Sequence, residues 1–69
     1  MTKVQLSFKL SRALNDQDLD SISRVHGVYG FFVVRPRPAG DELFIEYDAS
    51  RLSPQDVRQT LGENGLPIV

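Results

Sequence analysis

Apolar and polar residues alternate from Lys3 to Leu10, with Val4, Leu6, Phe8 and Leu10 set against Gln5, Ser7 and Lys9. A period of two predicts a half-buried strand whose polar residues share the outer face. Asn15-Asp16-Gln17-Asp18 reads as a helix start. Asn15 can cap free N–H groups, and acidic residues suit the positive first turn. Leu19, Ile22 and Val25 follow at helical spacing, and Gly27 can stop the helix by taking a positive φ. The spacing predicts a helix over about residues 16–26. Val28 to Arg35 is rich in β-branched and aromatic residues and predicts a second strand. Pro36, Pro38 and Gly40 end it in a turn. In Asp41 to Asp48, Leu43, Ile45 and Tyr47 alternate with Glu42, Phe44 and Glu46, the pattern of a third strand. Ser53-Pro54-Gln55-Asp56 opens a second helix, with Ser53 as cap and Pro54 at the first helical position. Val57 and Leu61 mark its buried side, and Gly62 and Gly65 close it. Leu66-Pro67-Ile68-Val69 is short and apolar and reads as a brief edge strand.

The order strand, helix, strand, strand, helix, strand is the split βαβ arrangement. The expected fold class is α+β: a ferredoxin-like βαββαβ sandwich, a four-stranded antiparallel sheet with two helices on one face. Residues 1–69 are read as a single domain, without linker or low-complexity segment.

The residues from Gly27 onward resemble the heavy-metal-associated domains. Gly27-Val28 is similar to the Gly-Val that opens that family's second strand. Leu43-Phe44-Ile45-Glu46-Tyr47-Asp48 resembles its V-x-V-x-Y-D third strand. Ser50 to Val57 resembles the x-x-(I/V/L)-S-P-x-x-(I/V) start of its second helix, and Gly65-Leu66 the G-(Y/F) that follows. The resemblance implies the ferredoxin-like fold. The family's G-M-T-C-x-x-C loop holds a soft metal, and counting back from Gly27 puts its two cysteine positions near Ser11 and Leu14. Here the loop reads Leu10-Ser11-Arg12-Ala13-Leu14, and the sequence has no cysteine. A serine hydroxyl is a poor ligand for soft ions, leucine is none, and Arg12 brings a positive charge. The fold is therefore expected to carry over, and the thiolate metal site is not. No metal and no cofactor is expected.

Composition narrows the chemistry further. A chain of 69 residues with 41% hydrophobic and 25% charged residues is an ordinary small globule. Its stability should be about 3–10 kcal/mol, all of it from apolar packing, because no disulfide can form. The net charge of −1 argues against nucleic acid as a partner. An RNA-recognition reading also fails on the first strand, which offers only Gln5, Ser7 and Lys9. No apolar run approaches the ~20 residues that span a bilayer, so no membrane insertion is expected. The first residues have no signal-peptide core, and the expected location is the cytoplasm.

Catalysis has no support: there is no cysteine nucleophile, no assembled His–Ser–Asp set and no Gly-rich phosphate loop. His26, the sole histidine, reads as a surface residue at a helix C-terminus. Asp16, Asp18 and Asp20 start like a calcium loop, but its glycine turn and distant glutamate are missing. Arg35 and Arg37 could contact an anion or an acidic partner; a solvated hairpin connection is the plainer reading.

The open sheet face is the candidate site. With Phe31 and Val33 turned to the helices, Phe32, Val34 and Phe44 would form one exposed apolar patch. The second strand should also be a sheet edge with unpaired backbone groups. The expected function is a non-enzymatic protein-interaction or self-association module, accessory to metal transport in so far as the family resemblance suggests it. Two alternatives stay open: a small-ligand-binding regulatory domain, and a metal carrier with unconventional ligands.

Overall fold

The computed structural model describes residues 2–69. Strand β1 spans Lys3–Lys9, helix α1 Asp16–His26, β2 Phe31–Pro36, β3 Glu42–Asp48 and helix α2 Pro54–Glu63. The sheet is antiparallel with strand order β1-β3-β2, so β3 is central and β2 is an edge.

Both helices start on reciprocal caps. The Asn15 side chain accepts the Asp18 N–H (3.0 Å), and the Asp18 carboxylate accepts the Asn15 N–H (2.9 Å). Ser53 and Asp56 repeat the exchange at α2. An aspartate three residues past the cap thus closes the box in both helices, where glutamate is more usual.

Leu43, Ile45 and Tyr47 of β3 meet Ile22 and Val25 of α1, Val57 and Leu61 of α2, and Phe31, Val34 and Leu66 in one core. Val4, Leu6 and Phe8 of β1 pack against it, half-buried.

The structure departs from the sequence expectations at three places. The fourth strand is reduced to an antiparallel bridge between Leu10 and Ile68 among the described residues. Hydrogen bonds Ser11 N–H to Pro67 O (2.7 Å) and Val69 N–H to Lys9 O (2.8 Å) flank it. Pro67, beside the bridge, has no N–H to give to a ladder. Strand β2 begins at Phe31 rather than Val28, because residues 27–30 form a turn closed by Val28 N–H to Val25 O and Phe31 N–H to Val28 O. The positive φ lies at Gly30 (+99°), while Gly27 stays helical at −82°. A Cβ on Gly30 would also come within 2.9 Å of Leu52 Cδ1, so any other residue would be strained in this turn.

The third departure sets the candidate site. The pairing of β2 with β3 slips between Phe31 and Val33, leaving Phe32 as a bulge. A bulge adds one residue and inverts the alternation beyond it. Phe31 and Val34 therefore face the core, and Val33 and Arg35 face away.

Candidate interaction site on the open sheet face

Val34 is 1% exposed and part of the core, so it leaves the expected patch of Phe32, Val34 and Phe44. Phe44 does face away from the helices, opposite Ser7 of β1 and Arg35 of β2, and lies outside the core cluster. It is nevertheless only 9% exposed. Arg35 and Arg37 lie over its ring, 5.2 and 4.9 Å from the centroid. Arg37 is fixed there by donating from Nη2 to Ser7 Oγ (3.0 Å). The two arginines expected as an anion contact therefore also cover an aromatic ring, and they carry their charge on the sheet face.

Exposed aromatic surface gathers instead at the corner where α1 turns into β2. Tyr29 is 71% exposed and Phe32 36%. The Arg51 guanidinium stands 4.4 Å from the Tyr29 ring centroid, and Lys3 Nζ 5.4 Å from that of Phe32. Tyr29, Gly30, Phe32, Asp48, Ser50 and Arg51 line a recess of about 230 Å³. The Asp48 carboxylate in its wall is almost wholly buried and fully engaged. Its Oδ1 accepts from Ser50 Oγ (2.6 Å), Ser50 N–H (3.0 Å) and Thr2 N–H (3.4 Å). Arg51 Nε lies 3.5 Å from Oδ2. The Ser50 hydroxyl bond foremost holds this carboxyl below the usual carboxylate range; the Ser50 and Thr2 N–H groups and the Arg51 charge add to that, while burial opposes it.

The open face carries more basic than acidic residues, with Glu42 and Glu46 its acids and Lys3 Nζ 3.8 Å from Glu46, and the helices carry more acids than the bases Arg24 and Arg58. Lys3, Lys9, Arg35, Arg37 and Arg51 line the open face or its rim, five of the eight basic residues. Asp16, Asp18, Asp20, Asp56 and Glu63 lie on the helices, five of the nine acids.

The loop after β1 is at the opposite end of the sheet from Tyr29. Arg12 closes it with a two-pronged bond to Asp18, Nη1 to Oδ2 at 2.6 Å and Nη2 to Oδ1 at 3.2 Å, and Nη1 also donates to Ala13 O (3.0 Å). The Arg12 bond first, and the Asn15 N–H second, hold the Asp18 carboxyl below its ordinary range against the cost of burial, and the bond to Asp18 raises Arg12 in turn. The Ser11 hydroxyl donates to Pro67 O (3.2 Å). Among the described residues, no three His, Cys, Asp or Glu side chains converge as a metal site. Asp18 of the aspartate run is a cap and an ion-pair partner.

His26 is exposed in the last turn of α1, as expected, and it also makes a tertiary bond. Its Nε2 accepts the Val34 N–H at 2.8 Å, across from α1 to the edge strand. No spacing in the sequence signals that bond. The Tyr29 corner had a signal: Gly-Val-Tyr-Gly between helix and strand is turn chemistry, and a turn presents its central residue outward.

Comparison with solved structures places this geometry. Apo-CopP from Helicobacter pylori superposes with a TM-score of 0.77 at 16% identity, covering 96% of this chain and 100% of its own. The CsoZ metallochaperone gives 0.75 at 13% identity, covering 99% of each chain. The chain shares their fold. Oxidised MerP from Ralstonia metallidurans CH34 gives 0.76 at 12% identity, over 99% of this chain and 96% of its own. This is the ferredoxin-like fold of those neighbours, here with three strands among the described residues, and the sequence has no cysteine. No protein-family model and no curated protein matches the sequence. No helix among the described residues is long and apolar enough to cross a membrane.

Proposed function

We propose that this chain is a non-enzymatic protein-interaction module that receives an acidic, partly apolar segment of a partner on its open sheet face. The Tyr29–Phe32 corner is the anchor. The observation that carries this reading is the exposure of Tyr29 on a turn whose backbone is hydrogen-bonded at both ends. The ring is held out by a fixed turn, beside a second aromatic and two cations. Aromatic and arginine side chains in a small recess are the usual makings of an interface anchor. The basic residues of the same face select an acidic partner, by complementarity of charge. An accessory role in metal transport goes with this reading, because CsoZ, which shares the fold, is a metallochaperone.

At about 230 Å³ the Tyr29 recess is smaller than the roughly 300–1,000 Å³ of ligand pockets, so this corner suits a side chain of a partner better than an enclosed small molecule. Calorimetric titration with a synthetic peptide alternating glutamate and leucine tests the proposal. Tyr29→Ser with Phe32→Ser should weaken binding about tenfold or more, a loss of about 1.4 kcal/mol or more. Equal affinity of the variant and the parent chain would sink it.

A further inference from the structure

The sheet ends at β2, and an edge strand offers its outward backbone groups to any other strand. The outward side of β2 is closed at successive points. The Val34 N–H is taken by His26 Nε2 at 2.8 Å. Pro36, two residues further along the same side, has no N–H. Phe32, two residues before, is the bulge that bends the strand. Of these three, only the Val34 bond depends on a side chain from another element.

We propose that His26 guards an edge that would otherwise pair with β2 of a second copy of this chain. The strand is self-complementary about Val34. An antiparallel pair with its two-fold axis there sets Val34 against Val34, through the N–H that His26 now holds. On the open face the same register places Val33 of one copy beside Arg35 of the other, so like charges are not opposed. Phe32, in the bulge, falls opposite Pro36, which has no N–H, so the new ladder is centred on the Val34 pair. The result is an isologous dimer with one continuous six-stranded sheet, the closed symmetry favoured by most soluble oligomers. The charged residues adjoining His26 do not compete for its ring nitrogen. Arg24 on α1 donates to Ser21 Oγ (2.8 Å), and Arg35 on β2 lies over Phe44.

Three chains and one exchange measurement test the proposal. His26→Ala should roughly double the mass seen by light scattering, and His26→Gln, which keeps a side-chain acceptor, should remain at the parent mass. Adding Val33→Lys to His26→Ala sets a lysine beside the partner's Arg35 and should restore the parent mass. In the parent chain, the Val34 amide should exchange with solvent distinctly more slowly than a free, unbonded amide, a readout independent of how any substitution folds. Fast exchange at Val34 overturns the proposal, and so does a folded His26→Ala chain that stays at the parent mass at every concentration.

Discussion

The two ends of the sheet use their polar residues in opposite ways. At the end after β1, the loop consumes its own chemistry: Arg12, Ser11, Asn15 and Asp18 all bond within the chain. At the end before β2, the acid is consumed and the aromatics are not. Asp48 is saturated by Ser50, Thr2 and Arg51, while Tyr29 and Phe32 stand at the surface with cations beside them. The first arrangement stabilises a loop. The second leaves unspent contact area, which is what binding needs.

Both ends hang on the central strand, so the largest effect should come from there. Ile45→Ala or Leu43→Ala should cost about 2–5 kcal/mol as measured by denaturant unfolding. With a total of about 3–10 kcal/mol available, either change could abolish both ends together. Wild-type-like unfolding would mean that the core is misassigned. Phe44→Ser should come next, at about 1.5–3 kcal/mol, the worth of a buried Phe side chain. The arginine cover makes this larger than a surface change, which stays near ±0.5 kcal/mol. A surface-like value would mean that Arg35 and Arg37 do not shield the ring in solution.

Acid should weaken both ends. Asp18, Asp48 and Asp56 are all held below the ordinary carboxylate range. Near those values the unfolded chain binds more protons than the folded one. Their contribution is therefore complete above the unfolded value of about 3.9 and is lost as pH falls through the lower folded values. Asp18→Asn should make the acid limb of a stability–pH curve shallower, and an unaltered limb would show that the Arg12 pair does not persist in solution. The smallest expected effect is on metal affinity. Copper(I) or zinc titration should reveal no one-to-one complex tighter than about micromolar. A tighter complex would return function to the loop after β1.

Much of the architecture was legible because it follows from periodicity and capping. The alternation in β3 is uninterrupted, so the inward set Leu43, Ile45 and Tyr47 could be read directly, as could the outward direction of Phe44. Helix α1 falls over residues 16–26 as expected, since Asn15 and the aspartates mark its start. Val34 was misread because a run such as Phe31-Phe32-Val33-Val34 is apolar throughout. It contains no alternation to reveal a bulge, and one extra residue moves Val34 from the surface to the core. The cover over Phe44 was hidden for a different reason. Arg35 and Arg37 are near each other in sequence, but the ring they share belongs to another strand, and only the β2–β3 register brings them over it. The His26–Val34 bond is a tertiary contact of the same kind.

The most direct test of the central claim is backbone amide chemical-shift mapping during titration with the alternating glutamate–leucine peptide. The account predicts that the largest shifts fall on Tyr29, Gly30, Phe32, Ser50 and Arg51, extending across Arg35 and Arg37, while Arg12 to Asp18 stay unchanged. Shifts centred on the Arg12–Asp18 loop, or none at saturating peptide, would contradict it.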